Sequence, residues 1–253
     1  MLIAESIAEG GKRMLPPRAE ERAAMFSRIA EDYDRINAVL SWGLVNRWRR
    51  ALLRRLPEGW RPGSILDVCC GTGAMTALLA GAYPGAALFG VDFAPGMLCR
   101  AEARFARLAG PAPRFLPADQ NALPFPDGSF DLVVNAFGLR NSVSLARSLA
   151  EMLRVLRPGG FLALLELTRP GEGLFARLFS FYFFRLSPLL ARLLGGDPAA
   201  YRYLPASVAG FRTRCEMAAV LAGISGGAPV SFPLFGPAVG LFLLKKPDGK
   251  GVG

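Results

Sequence analysis

The chain has 253 residues, 52% of them hydrophobic, with 30 basic against 20 acidic side chains and a formal net charge of +10. That length suits one α/β domain with extensions, and four cysteines without a C-x-x-C pair, in a chain with no histidine, argue against zinc and leave no imidazole general base. Residues 1–11 lack an apolar signal core and no eighteen-residue apolar run is free of charge, so neither an export signal nor a transmembrane helix is expected, and the cytoplasm is the default compartment.

In chain order, residues 1–20 read as a flexible arm and 21–60 as a helical cap, with helix-like spacing over 18–56 interrupted at 32–43. Almost all the basic residues are arginines, a bias that suits nucleic acid or an anionic membrane surface. The densest cluster, Arg47, Arg49, Arg50, Arg54 and Arg55, lacks the interleaved aromatics of an RNA-reading surface and reads as a solvated or lipid-facing helix.

The core, 61–253, opens with the most informative stretch. An apolar run, Ile65 to Val68, ends in Cys69-Cys70-Gly71-Thr72-Gly73, and a second run, Ala87 to Val91, delivers Asp92. This is the layout of a nucleotide-binding βαβ unit, in which Gly71 and Gly73 let the backbone approach a ligand and Asp92 can accept both ribose hydroxyls. Thr76 breaks the dinucleotide spacing and no P-loop lysine follows, so a nucleoside without phosphates fits better, S-adenosylmethionine being the common one. Cys69 and Cys70 read as packing residues at the strand end.

Strands are expected at 64–68, 87–91, 114–116, 131–135 and 161–166, with helices at 74–82, 95–108 and 142–156 between them. Such alternation predicts a mostly parallel Rossmann-like sheet with helices on both faces and ligands beyond the carboxyl ends of the strands. Pro158-Gly159-Gly160 should stop the third helix abruptly. A helix near 213–222 and a strand near 239–244 extend the sheet. Between them, 169–208 reads as an aromatic lid. Its arginines, Arg177, Arg185 and Arg192, fall within about 80° of one another at helical spacing, with Pro188 as a break. The lid would touch a membrane interface or a greasy substrate, or else pack on the core.

Several segments together resemble the ubiquinone/menaquinone-biosynthesis C-methyltransferases, a branch of the class I S-adenosylmethionine enzymes. They are Tyr33-Asp34-Arg35-Ile36-Asn37, Leu40-Ser41-Trp42-Gly43 with Trp48, Leu123-Pro124-Phe125-Pro126-Asp127, Phe137-Gly138-Leu139-Arg140-Asn141, Arg154-Val155-Leu156-Arg157-Pro158-Gly159-Gly160, Leu165-Glu166 and Tyr201-Arg202-Tyr203-Leu204. Three departures stand out. Val45-Asn46 replaces a usual His-Arg, Ala74 replaces an aspartate, and Phe235 to Gly240 replaces a usual glycine, isoleucine and histidine segment.

The resemblance implies a class I methyltransferase fold with a seven-stranded sheet, and cofactor contacts from Thr72, Asp92, Asp119, Gln120 and Ala136. Gly71 and Gly73 would pass beneath the methionine part, and Asp67 would fix the loop or cap the core. Its substrate would be a prenylated quinol, demethylmenaquinol or a methoxy-polyprenyl-benzoquinol. Arg140 is then the candidate for stabilising a quinolate anion, since an arginine with a pKa above about 12 is a poor base. Asn141 would bond a quinol oxygen or cap the following helix, Tyr33 and Asn37 would line the pocket or simply pack, and Tyr203 would line the tail's shelter. Peripheral contact with an anionic inner leaflet is expected, a homodimer stays open, and no metal is implied. A nucleic-acid methyltransferase is disfavoured, because the fourth strand ends in Asn135-Ala136-Phe137-Gly138 without Pro-Pro. A methyltransferase acting on another phenolic or lipid-like molecule, or a non-catalytic cofactor-binding subunit, remain the rivals.

Overall fold

The computed structural model describes residues 19–107, 110 and 112–248. Nearly all of the expected arm, 1–18, lies outside the described residues. Three helices come first: α1 (Ala19–Ile29), α2 (Tyr33–Leu40) and α3 (Leu44–Leu53). The expected interruption at 32–43 is therefore itself largely helical. Ile36 and Leu40 supply α2 with a buried face, which tertiary packing can stabilise in a segment too short to be helical alone.

The sheet follows as β1 (Ser64–Val68), α4 (Ala74–Ala82), β2 (Ala87–Asp92), α5 (Pro95–Phe105), β3 (Arg114–Pro117), β4 (Phe130–Ala136), α6 (Leu145–Val155) and β5 (Leu156–Leu167). The lid segment holds α7 (Leu174–Phe181) and α8 (Ser187–Leu193), and after it come α9 (Pro198–Ala209), α10 (Arg214–Ser225), β6 (Val230–Pro233) and β7 (Val239–Lys245). The strand order is β3-β2-β1-β4-β5-β7-β6, with β7 antiparallel to both neighbours and the rest parallel. Strands buried on both faces read as continuous apolar runs, because alternate side chains enter two separate cores. Leu162 and Leu164 of β5 join one core with Met152 of α6 and Leu221 of α10. Ala163 and Leu165 face the other, with Leu79 of α4 and Trp48 and Leu52 of α3.

Two larger differences from expectation concern the sheet. β5 begins at Leu156 rather than 161, because Phe130 pairs with Leu156 and Leu132 with Phe161, so the Pro-Gly-Gly run is looped out within the strand. Short, half-exposed β6 had no sequence signal of its own and owes its pairing to β7.

The lid is one nearly continuous helix made of α7 (Leu174–Phe181), a π-turn over Tyr182–Leu186 and α8 (Ser187–Leu193). Pro188 does not break it. A proline cannot donate to the carbonyl one turn back, and the wider π-turn just before it, with Ser187 Oγ donating to Phe183 O at 2.8 Å, accommodates the missing donor. The 20-residue helix Leu174–Leu193 is long and apolar enough to cross a membrane by length and composition, although every eighteen-residue window of it carries arginine, as the sequence reading has it.

Candidate active site

The glycine turn beyond β1 builds the first half of the site. Gly71 and Gly73 have φ of +55° and +74°. That left-handed conformation costs an ordinary L-residue about 1–2 kcal/mol. The turn brings Gly71 N–H within 2.9 Å of Asp92 Oδ2, while Ala94 N–H donates to Oδ1, also at 2.9 Å. The carboxylate is thereby held at the end of β2, and burial pushes its pKa up to about 6. A narrow cleft of about 50 Å³ opens beside it, lined by Gly71, Thr72, Asp92, Ala136, Tyr33 and Asn141 among others. A Cβ on Gly71 would meet no atom within 4 Å, so the turn faces open space here.

Three residues expected at the cofactor, Gly73, Asp119 and Gln120, do not line this cleft, and neither does Asp67, expected to fix the loop or cap the core. Gly73 instead packs on α5, where a Cβ would sit 3.2 Å from that of Ala101. Asp67 lies buried beneath the turn, accepting the Thr76 hydroxyl, and burial raises its pKa to about 7. Asp119 is exposed, and its Oδ1 accepts both the backbone and side-chain N–H of Asn121 at 2.8 and 2.7 Å. Gln120 is buried and reaches only the rim, donating to Gly138 O at 3.2 Å, while its Oε1 has no partner. The cysteines behave as packing groups: burial lifts the thiols of Cys69 and Cys70 well above their usual range.

A second, larger cavity of about 370 Å³ adjoins the cleft. Its walls are apolar: Leu40, Trp42, Leu44, Val45 and Trp48 from the cap, Phe175, Leu178, Phe179 and Phe183 from the lid, and Phe235. Trp48 packs tilted against Phe235 with ring centroids 5.8 Å apart, and Phe179 stacks on Phe183 at 5.1 Å. Tyr182 ties lid to cap, donating to Leu40 O at 2.8 Å and accepting from Trp42 Nε1 at 3.1 Å. Tyr33, Asn37, Arg49 and Arg140 supply the polar lining, and Tyr33, Arg49 and Phe137 line both cavities. Tyr203 and Asn141 are bonded to each other, hydroxyl to Oδ1 at 3.0 Å. Burial raises the Tyr33 hydroxyl, against the opposing pull of Arg140 and Arg49. It also raises that of Tyr203.

Arg140 is no surface residue. Its guanidinium and the Glu166 carboxylate, 4% and 0% exposed, pair at 2.8 Å. Glu166 Oε2 accepts the Arg140 backbone N–H at 3.0 Å, and Oε1 accepts Leu167 N–H at 2.8 Å. Nε of Arg140 has no partner. Nη1 of Arg140 is fixed by Glu166 Oε1 and Phe137 O, and the residue lines the larger cavity.

Two contributors escaped the sequence reading. Leu165-Glu166 belongs to the resembling segments and ends a strand, but nothing local announces a partner for Glu166 26 residues earlier. Arg49 reads with its four neighbours as part of a solvated or lipid-facing helix, whereas the structure turns it inward. The signal was present: Val45, Trp48 and Leu52 are the buried stripe of α3, and Arg49 lies one turn after Val45 on that side. Arg47, Arg50, Arg54 and Arg55 are exposed as expected.

The model of the ubiE/COQ5 methyltransferase family matches residues 17–229. The chain belongs to that family. It is similar to a demethylmenaquinone methyltransferase of Thermus thermophilus, at 44% identity over 85% of this chain and 96% of that one. It is also similar to a ubiquinone/menaquinone biosynthesis C-methyltransferase of Geobacter sulfurreducens, at 41% identity over 83% of this chain and 82% of its relative. Among solved structures, a putative methyltransferase of Haloferax volcanii complexed with the activator Trm112 superposes with a TM-score of 0.62 at 16% identity, covering 88% of this chain and 97% of its own. A SAM-dependent methyltransferase of Aquifex aeolicus gives 0.59 at 17% identity, covering 84% and 97%. These likenesses establish a class I methyltransferase fold.

Proposed function

We propose that this methyltransferase uses S-adenosylmethionine to methylate a ring carbon of a prenylated quinol, demethylmenaquinol in the first instance. The observation that carries the reading is the junction at Tyr33, Arg49 and Phe137, where the polar cleft beside Asp92 meets a large apolar cavity. The residues fit the cofactor. Asp92 is an acceptor fixed by two backbone N–H groups, as a ribose diol requires, and Gly71 faces the cleft without a side chain. The unpartnered Oε1 of buried Gln120, at the rim, suits an adenine edge. Phe26 and Tyr33 line the narrow cleft from the cap, so admitting a nucleoside calls for the cap to shift.

Bound there, S-adenosylmethionine supplies an electrophilic methyl group. A quinol that has lost a hydroxyl proton is nucleophilic at the adjacent ring carbon. The chain's part is to aim that carbon at the junction and to hold the oxygen's charge. Arg140 is the group for the second task, its free Nε supplying a donor from a preorganised, buried guanidinium. The apolar walls exclude water and shelter the tail. Among the relatives, the name of the Thermus protein favours a naphthoquinol, while that of the Geobacter protein admits a benzoquinol as well.

A lipid-soluble substrate implies work at a membrane, here from the cytoplasmic side. The lid's outer face exposes Leu174 (74%), Leu178, Phe181, Leu189 and Leu193 (74%), next to Trp42 (78%) on the cap, with Arg177, Arg185 and Arg192 also exposed. Ala176, Phe183, Ser187 and Ala191 of the same helix are buried against the protein, so it suits lying in the interface better than crossing it. Leu178 and Trp42 belong both to this face and to the cavity lining, which would open the cavity towards the lipid.

The test is direct: labelled S-adenosylmethionine with short-chain demethylmenaquinol, then with the methoxy-benzoquinol. Label in the naphthoquinol ring is expected. Cofactor binding without transfer to either ring would leave a binding subunit.

A further inference from the structure

Arg49 presents an unsolved charge. It lies on α3 and lines both the cofactor cleft and the apolar cavity. Burial pushes its guanidinium below the usual arginine range, against the opposing pull of Asp34, Tyr33 and Asp67. Nη1 donates to Asn46 Oδ1 at 3.0 Å, and buried Nε has no partner among the described residues. The acid that acts on it most strongly, Asp34, is engaged elsewhere, by the Thr72 hydroxyl at 2.8 Å and by Arg104. A half-buried cation with an open donor costs stability unless some anion completes it.

On the reading that the cleft holds S-adenosylmethionine, we propose that Arg49 binds the α-carboxylate of the cofactor's amino-acid end. The polarity of the cleft argues for it. Asp92 marks the ribose end, so the amino-acid end runs along Gly71, Thr72 and Ala74, the stretch that shares the cleft lining with Arg49. A bare guanidinium near a sulfonium would repel it, and a carboxylate between the two cations removes that repulsion. Asp34 Oδ1 and Asp67 Oδ1, buried and also without partners, place two acids close to this cation. One cation beside two carboxylates is the complement of a zwitterionic α-amino acid. Ala74, which lines the cleft here, adds no competing acid of its own. Asn46 then serves as the brace that aims the guanidinium.

The experiment compares two probes that share the adenosyl thioether: S-adenosylhomocysteine, which carries the amino acid, and 5′-methylthioadenosine, which lacks it. Calorimetry is run on wild type, Arg49→Ala, Arg49→Lys and Asn46→Ala, with thermal melting to check folding. Arg49→Ala is expected to weaken S-adenosylhomocysteine about 10–100-fold, the range for losing a hydrogen bond to a charged group, and methylthioadenosine less than about twofold. Arg49→Lys keeps the charge and loses the fork, so it falls between. Asn46→Ala, which leaves the guanidinium in place, gives a smaller loss confined to S-adenosylhomocysteine. Equal losses for both probes, or none for S-adenosylhomocysteine in any variant, overturn the assignment. If wild type binds neither probe, the cofactor reading itself fails, an outcome distinct from a failure at Arg49.

Discussion

Replacing Arg140 by alanine tests whether the buried pair with Glu166 works as described. The substitution removes a 4% exposed cation that lies 2.8 Å from a carboxylate with no exposure. Glu166 keeps only two backbone donors, Arg140 N–H and Leu167 N–H. Breaking a buried pair by deleting one partner costs about 3–5 kcal/mol, chiefly the penalty of the charge left behind. At about 2–4 °C per kcal/mol for a chain of this size, the melting temperature should fall by about 6–20 °C. Arg140→Ala/Glu166→Gln removes both charges and should recover most of that loss. Turnover separates the two roles. If Nε also holds a quinolate oxygen, kcat should stay about 100–1000-fold down in the double variant, as for loss of one anion-stabilising donor, with S-adenosylhomocysteine affinity unchanged. The measurements are thermal melting by circular dichroism, kcat well below the transition, and calorimetric binding. A single variant that melts within about 4 °C of wild type refutes the energetic argument. A double variant that regains both stability and turnover refutes the chemical one.

Asp67 gives a pH test. Its pKa is raised from 3.8 to about 7 by burial, so the stability contributed by the neutral acid is complete below 3.8 and lost as pH rises through about 7. That is up to about 4 kcal/mol at 1.36 kcal/mol per pH unit. Asp67→Asn should therefore raise the melting temperature of the ligand-free protein more at pH 8 than at pH 5, and a pH-independent difference would contradict this. The nearby acid Asp92 and the cations Arg49 and Arg104 remain in both proteins. The two turn glycines should separate cleanly. Gly71→Ala, with φ +55° and open space before it, should chiefly weaken cofactor affinity. Gly73→Ala, with φ +74° and Ala101 at 3.2 Å, should chiefly lower stability by about 1–3 kcal/mol. On the lid, Leu178→Asp with Phe181→Asp should abolish flotation with anionic vesicles while S-adenosylhomocysteine affinity stays the same. Vesicle binding that survives both changes would remove the lid from the membrane-facing role.

What the residues alone determined was local and periodic. Ile65 to Val68 reads as a strand because a short, largely apolar run bounded by a glycine turn suits a strand covered on both faces, and all four side chains are buried. Gly71 and Gly73 had to be a turn, because the dihedrals it needs exclude most side chains. The distance in sequence from that turn to Asp92 is one helix and one strand, so the acid's arrival at the cleft was legible before any coordinates. The pairing of Arg140 with Glu166 was not legible, since it depends on β4 and β5 lying side by side, and that register is a property of the sheet. The inward turn of Arg49 was carried by the apolar stripe of α3 but concealed by the company of four exposed arginines. Likewise Pro188 continues a helix it was expected to end, because a π-turn one step earlier absorbs its missing donor. Periodicity and backbone dihedrals act through the nearest few residues. Burial, counter-charges and the meeting of two cavities arise only when distant segments are brought together, and the chemistry of this site depends on them.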